Sequence, residues 1–149
     1  MADVYDKSVR SAVMSKVRSS GNKSTEFRLI KLFQEVGLIG WRRKYPVKGK
    51  PDFVFLKHRV AIFVDGCFWH GHDCRNTRPS TNSEYWMKKR ERNIQRDFKM
   101  TESFKARNWT VLRIWECELK AGNRNTIIER IKTILISATC GLPNTTLRY

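Results

Sequence analysis

Acidic residues are scarce in this sequence, and long apolar runs are missing from it. The 149 residues contain 14 Asp and Glu against 30 Lys and Arg, which gives a formal net charge of +16. No apolar run approaches the ~18 residues that a membrane span needs, and the N-terminal segment lacks the apolar stretch of a secretory signal. Repeats and low-complexity tracts are also missing. We therefore expect one soluble, cytoplasmic domain over residues 1–149 that binds polyanions such as nucleic acids rather than membranes.

The apolar content is nevertheless high enough for a folded core. Hydrophobic residues make up 40% of the chain, including five Trp and eight Phe, which argues against disorder. The positive charge alone fits a non-catalytic nucleic-acid binder as well as an enzyme that acts on DNA. The choice between these two classes depends on the arrangement of particular residues.

Hydrophobic periodicity predicts an α/β fold with a central mixed β-sheet flanked by helices. Apolar residues at helical spacing predict helices over residues 24–36, 83–107 and 123–138. We expect residues 1–20 to form a basic arm and residues 139–149 a loosely ordered tail. Runs rich in β-branched and aromatic residues predict four strands, namely Trp41–Tyr45, Asp52–Leu56, Val60–Val64 and Trp109–Trp115.

Acidic residues mark the hairpin that the second and third predicted strands form. If Lys57–Arg59 is the loop, Asp52 lies opposite Val64, whereas a two-residue loop places it opposite Asp65. Either register gathers a carboxylate and main-chain carbonyls at one end of the hairpin, and such oxygen donors bind Mg²⁺. Asp97, in the long predicted helix, fits either a surface ion pair or a third acid of this site.

Cysteine and histidine are few, but several of them are concentrated in one short segment. Cys67, His72 and Cys74 lie close together in the sequence, and Cys117 follows the last predicted strand. Three thiolates and one imidazole are a common ligand set for a structural, four-coordinate Zn²⁺. We therefore predict a zinc site here rather than isolated buried thiols, and we interpret Cys140 as a plain thiol.

His70 lies between two predicted zinc ligands but is not needed to complete the set. An imidazole beside a carboxylate site for Mg²⁺ can act as general base or acid in phosphodiester hydrolysis. Phe68 and Trp69 precede it on the same loop, where an aromatic pair could wedge between base pairs of a duplex. Trp86, which also fits a core position, and Met14 on the arm are further candidates for insertion.

Four segments resemble the very short patch repair (Vsr-type) DNA mismatch endonucleases, relatives of the PD-(D/E)xK restriction endonucleases. They read GKPDFVF, VAIFVDGCFWHGHDC, EYWMKKRERNIQRD and WTVLRIWECEL, and the resemblance extends from Met1 to about Leu119. It implies a restriction-endonuclease-like α/β core with one structural zinc site. It also implies an enzyme that nicks DNA, with Zn²⁺ held by the four residues predicted above.

The resemblance implies roles for individual residues of the site. Asp52 and the main-chain carbonyl of Val64 would bind the catalytic Mg²⁺. Asp97 would orient water on the metal, and His70 would act on the nucleophile or the leaving group. Glu26, on the first predicted helix, resembles a further acid near the metal.

The sequence departs from the family pattern at Asp65, because Val64-Asp65 replaces the family's familiar Thr-His pair. A carboxylate at this position could hold water on the metal or bind the metal directly. The departure also leaves open a mismatch-independent nicking or restriction-type endonuclease as an alternative function.

The combined prediction is a Mg²⁺-dependent, zinc-stabilised endonuclease that nicks one strand of duplex DNA beside a T:G mismatch, the product of 5-methylcytosine deamination. The alternative from another class is a non-catalytic, zinc-stabilised DNA-binding module. The resemblance implies a functional link to a cytosine-5 DNA methyltransferase and to a MutL-like mismatch-repair ATPase, and we expect a monomer. The residues of the long helix expected to hold DNA phosphates are Lys88, Lys89 and Arg92.

Overall fold

The computed structural model describes residues 25–72, 74 and 81–140, together with six scattered positions between 6 and 16. Most of the predicted basic arm, including Met14, lies outside the described residues. So do residues 141–149, which make up most of the predicted C-terminal tail. The predictions for the arm and the tail therefore remain predictions.

Residues 25–140 contain three α-helices and a four-stranded sheet among their described positions. The helices are α1 (Glu26–Glu35), α2 (Ser83–Ala106) and α3 (Arg124–Thr139). The strands are β1 (Trp41–Arg43), β2 (Phe53–Phe55), β3 (Val60–Asp65) and β4 (Thr110–Trp115). Short 3₁₀ turns cover Leu56–His58, Glu116–Leu119 and Ala121–Asn123.

The strands lie in the order β1-β2-β3-β4, and the sheet is mixed. β1 pairs with β2 and β2 with β3 in antiparallel fashion, whereas β3 and β4 are parallel. A parallel pair needs a long crossover connection, and α2 lies in that connection. The loops that follow β3 and β4 consequently begin at the same edge of the sheet.

Apolar side chains alternate between the two faces of the sheet. On one face, Ile62 and Leu112 pack with α1 and α3 in the larger core cluster. On the other face, Phe63 and Val111 pack with Phe104 of α2. Because strand side chains alternate with period two, Asp65 and Arg113 lie on the same face as Phe63, toward α2.

The prediction of a mixed sheet flanked by helices is confirmed, and the strands agree closely with the predicted ones. β1 is shorter than predicted, because Lys44 adopts a positive φ of 50° and the strand ends before it. No helix in the described ranges is long and apolar enough to cross a membrane.

Both predicted registers of the β2–β3 hairpin are wrong. Phe55 pairs with Val60 and Phe53 with Ile62, one residue away from the first predicted register and two from the second. The loop is four residues long, because Leu56–His58 form a 3₁₀ turn that Arg59 closes in the left-handed conformation. Asp52 nonetheless lies near residue 64, as either register required, because its side chain bonds to the Val64 amide.

Candidate active site and metal centre

Asp52 lies directly before β2, and its carboxylate faces the end of β3. The main-chain N–H of Val64 donates a 2.7 Å hydrogen bond to Asp52 Oδ2. The N–H and C=O of one strand residue point to the same side, so the Val64 carbonyl is also directed toward Asp52. The structure thus brings the Asp52 carboxylate to the main chain of Val64, the residue whose carbonyl is predicted to bind Mg²⁺.

Burial raises the pKa of Asp52 to about 7 from its ordinary value of 3.8. The hydrogen bond from the Val64 amide lowers the pKa, whereas the negative charges of Glu26 and Asp65 raise it further. A nearby cation would stabilise the ionised form of this carboxyl and lower its pKa. The electrostatics at Asp52 therefore suit a metal ligand.

Asp65, His70 and Asp97 come together from three parts of the chain. Asp65 ends β3, His70 lies in the loop that follows, and Asp97 lies on the buried face of α2. One ligand atom of each lies within 4.8 Å of the others. His70 Nδ1 forms a short hydrogen bond with Asp97 Oδ2 and lies 3.7 Å from Asp65 Oδ1.

Asp97 is thus a buried member of the site, and the alternative of a surface ion pair is wrong. Asp97 is only 5% exposed. Burial raises the pKa of Asp97, but the hydrogen bond to His70 and the charge of Arg113 outweigh this effect and leave the pKa below its ordinary value. Asp97 is consequently ionised near neutral pH.

Arg113 is a residue of this cluster that sequence reasoning missed. Its Nε lies 3.0 Å from Asp65 Oδ2, and its Nη2 lies 3.0 Å from Asp97 Oδ1. The signal that could have revealed it is a charged residue inside the apolar run TVLRIW, since a buried arginine almost always has acidic partners.

Glu26 is buried at the start of α1. Its Oε2 lies 2.5 Å from Arg43 Nη2 in an ion pair, so Arg43 is engaged within the protein. The charge of Glu26 also reaches Asp52 and raises its pKa. The structure therefore places Glu26 beside the site, paired with an arginine of β1.

The four predicted zinc ligands form one cluster. Ligand atoms of Cys67, His72, Cys74 and Cys117 all lie within 4.8 Å of one another, and Cys117 Sγ lies 3.4 Å from His72 Nδ1. The His72 ring is stacked on Trp115 with centroids 4.4 Å apart, which fixes the orientation of the imidazole. This cluster could hold a metal ion and would tie the loop after β3 to the end of β4.

The thiols of this cluster ionise less readily than free thiols in the absence of a cation. Burial, together with the neighbouring thiols of Cys67 and Cys74, raises the pKa of Cys117 to about 12, and burial likewise raises the pKa of Cys67. Thiols so close to one another repel as thiolates, and a bound cation removes this repulsion. The donors predicted from the sequence are therefore compatible with one metal ion.

Three aromatic residues predicted to contact DNA pack against one another. The ring centroids of Phe68, Trp69 and Trp86 lie between 4.9 and 5.9 Å apart. Phe68 and Trp69 are half-buried, whereas Trp86 is 6% exposed. Within the described residues the buried Trp86 Nε1 has no hydrogen-bond partner. Insertion of Trp86 into DNA would require it to leave this cluster.

Basic side chains surround the aromatic cluster and continue along α2. Lys89 Nζ lies 5.3 Å from the centroid of Trp69 and 5.5 Å from that of Trp86. Lys88 and Arg92 are exposed. A shallow cavity of about 440 Å³ on the same helix is lined by Lys48, Arg92, Gln95, Arg96, Lys99, Met100 and Ser103. These residues give α2 a cationic surface that fits phosphates.

Comparison with known proteins identifies relatives of this chain. The family described as "DNA mismatch endonuclease Vsr" matches residues 2–76. DNA mismatch endonuclease Vsr of Escherichia coli K12 is 36% identical over 127 residues, which cover 85% of this chain and 81% of that protein. The Type II nicking enzyme V.NmeAIP of Neisseria meningitidis serogroup A is 34% identical over 140 residues, which cover 91% of this chain and 95% of the relative.

A third relative, the Type II nicking enzyme V.XorIIP of Xanthomonas oryzae pv. oryzae, is 34% identical over 136 residues, with 91% of this chain and 98% of the relative covered. The matches to the two nicking enzymes thus span more than nine-tenths of this chain and of each relative, and the match to the Escherichia coli protein spans more than four-fifths of each sequence. Together with a family match over half of the residues, they show that the chain belongs to the Vsr family of DNA mismatch endonucleases and is a DNA endonuclease.

Proposed function

We propose that this endonuclease nicks one strand of duplex DNA next to a T:G mismatch, depends on Mg²⁺ and begins very short patch mismatch repair. The observation that carries the proposal is the grouping of Asp52 and Val64 with the Asp65, His70 and Asp97 cluster at one edge of the sheet. Carboxylates beside an imidazole fit metal-assisted phosphodiester hydrolysis. The mixed sheet is compatible with a restriction-endonuclease-like core within one domain.

Asp52 and the Val64 carbonyl would hold the Mg²⁺ ion. When bound, the metal would neutralise charge on the scissile phosphate and favour deprotonation of water. Mg²⁺ prefers oxygen ligands and usually retains several waters, so one carboxylate and one carbonyl suffice as protein ligands. Glu26 would support this site from nearby.

His70 would move the proton. Its Nδ1 is engaged by ionised Asp97, so Nε2 is the nitrogen that can take a proton from, or give one to, the reacting oxygens. Both carboxylate oxygens of Asp97 have contacts, one with His70 and the other with Arg113. We therefore assign Asp97 to orienting His70 rather than to orienting water on the metal.

The sulphur-rich cluster would hold a structural Zn²⁺. Tetrahedral Zn²⁺ with Zn–S and Zn–N bonds of about 2.3 and 2.0 Å brings its donors about 3.5–4 Å apart. The four donors here already approach this spacing. A closed four-ligand set supplies stability rather than chemistry, which suits a protein with a net charge of +16.

DNA would be held by the aromatic cluster and by the cationic surface of α2. Phe68 and Trp69 would insert at the mismatch, while Lys88, Lys89 and Arg92 would contact phosphates. Trp86 and Met14 are further candidates for insertion. The proposal also includes functional links to a MutL-like ATPase and to a cytosine-5 methyltransferase, whose product 5-methylcytosine gives the T:G mismatch on deamination. It further includes a cytoplasmic location and a monomeric state.

Nicking of labelled duplexes tests the proposed reaction. Purified protein is incubated with Mg²⁺ and with duplexes that carry a T:G or a matched T:A pair within randomised flanking bases. We expect a single nick on the T:G duplexes alone, loss of nicking without Mg²⁺, and loss of nicking for the His70→Ala variant. His58→Ala is the matched control, because His58 lies at the opposite end of the hairpin and bonds to Thr139.

A mismatch-independent nicking enzyme is the second candidate, because several similar proteins are named Type II nicking enzymes. Equal nicking of T:G and matched duplexes would favour this candidate. DNA binding without nicking would reject both and favour a non-catalytic binding module.

A further inference from the structure

Arg113 places a positive charge inside the sheet. The residue is 3% exposed, and its strand neighbours Leu112 and Ile114 are completely buried. An unpaired guanidinium in such a position would destabilise the fold by several kcal/mol. Its presence in β4 therefore depends on the groups that face it.

Three contacts fix the guanidinium. It lies 3.0 Å from an oxygen of Asp65 and 3.0 Å from an oxygen of Asp97. Its Cζ lies 4.8 Å from the ring centroid of Phe63, the residue paired with it across the parallel strands. Ion pairs on two sides and an aromatic ring against one face restrict the orientation of the planar guanidinium.

Asp97 transmits this orientation to His70. Its Oδ1 contacts Arg113, while its Oδ2 bonds to His70 Nδ1, so the carboxylate cannot rotate without losing one of the two partners. We propose that Arg113 is a positioning residue that locks Asp97 against β4 and thereby sets the ring orientation and the tautomer of His70. This inference rests on the proposed function of His70.

The charge balance of the cluster supports this role. One carboxylate oxygen of Asp65 and one of Asp97 lie within 4.8 Å of each other, and carboxylates this close repel each other unless a positive charge offsets the repulsion. Arg113 contacts both of them and supplies that charge from within the protein. Because Asp65 forms an ion pair with the guanidinium, Asp65 fits the role of a partner of Arg113 better than that of a metal ligand.

Replacement of Arg113 tests the inference by two readouts. Arg113→Leu removes the charge, and Arg113→Lys retains it but cannot reach both acids in the same way. The first readout is the single-turnover nicking rate at saturating DNA and Mg²⁺, measured beside the Kd for DNA. The second is the ¹⁵N imidazole spectrum of the zinc-loaded, DNA-free protein, in which His70→Ala assigns the His70 signal.

We expect Arg113→Leu to lower the nicking rate at saturating DNA by on the order of 10- to 100-fold, the range typical of partners that orient an imidazole. The Kd for DNA should change less than about twofold, because Arg113 does not contact DNA in this proposal. Arg113→Lys should give an intermediate rate. The His70 spectrum should lose the signature of a hydrogen-bonded Nδ1–H. Leu112→Ala, a change at the adjacent buried position on the other face of β4, should lower stability without changing the rate or the spectrum.

If Arg113→Leu does not fold, the double variant Asp65→Asn/Arg113→Met removes one negative and one positive charge, so the net charge of the cluster is unchanged. We expect the nicking rate of the double variant to be lower than that of Asp65→Asn alone by about the same 10- to 100-fold. Unchanged rates, a loss confined to Kd, or an unchanged His70 spectrum would overturn the inference. A wild-type protein that does not nick would instead refute the proposed function, and the spectrum of DNA-free protein separates these two failures.

Discussion

Replacing Asp52 with Asn should stabilise the metal-free protein and abolish its activity. Desolvation raises the pKa of this half-buried carboxyl to about 7 from 3.8. Between these pH values the folded protein retains a proton that the unfolded chain has released. The contribution of Asp52 to stability is therefore most favourable below about pH 4 and is lost as the pH rises through about 7.

The magnitude follows from the pKa difference. Each pKa unit corresponds to about 1.4 kcal/mol, so the ionised Asp52 destabilises the metal-free fold by up to about 4 kcal/mol at pH 8, and by less than half of that at pH 5. Asn has the same shape and no charge, and its Oδ1 can accept the hydrogen bond from Val64. Asp52→Asn should therefore be more stable than wild type, and more so at pH 8 than at pH 5.

Urea denaturation at pH 5 and pH 8 measures this difference in Mg²⁺-free buffer without chelator, because a chelator would also remove the Zn²⁺ proposed for the cysteine cluster. Addition of Mg²⁺ should stabilise wild type and leave Asp52→Asn unchanged, and the variant should not nick DNA. Glu102→Gln, which removes an exposed charge paired with Lys105, is the control. An equal pH dependence in wild type and Asp52→Asn would refute the reasoning.

Three further predictions concern the metal cluster, the packing of α2 and the aromatic cluster. Cys117→Ser should lose stoichiometric zinc by elemental analysis, whereas Cys140→Ser should retain it, and equal zinc in both would contradict the ligand set. Gly49→Ala should lower the free energy of unfolding by about 1–3 kcal/mol in urea denaturation. Gly49 has a φ of +112°, and a Cβ there would lie 2.6 Å from the Phe104 ring. Trp69→Ala should reduce the preference for T:G over matched duplex in competition binding, and a retained preference would exclude a role in mismatch recognition.

The sequence predicted the elements of this fold better than their relative placement. The helix at 124–139 and the strand at 110–115 lie within one or two residues of the predicted ranges. The helix carries apolar residues at helical spacing, and the strand is a run rich in β-branched and aromatic residues. The register of the β2–β3 hairpin could not be obtained in this way. It depends on the left-handed conformation of Arg59, which nothing in the residue type requires.

The candidate site was predicted unevenly for a similar reason. The metal cluster followed from the chemistry of its donors, since few other arrangements explain three Cys and a His at this spacing. Asp97 remained ambiguous, because a helical acid among basic residues has the same local pattern on the surface and in the core. Arg113 was missed because only the parallel pairing of β3 and β4 shows that its side chain faces Asp65 and Asp97.

The crossover connection through α2 has a consequence for folding. Asp65 and His70 precede α2, Asp97 lies within it, and Arg113 and Cys117 follow it. The proposed reacting groups and metal donors therefore meet only through contacts of long sequence separation. Contacts of this kind form slowly. A chain that has not yet added β4 to the sheet has neither the guanidinium nor the fourth metal donor, so nuclease activity and metal retention should be gained together in the last cooperative step of folding.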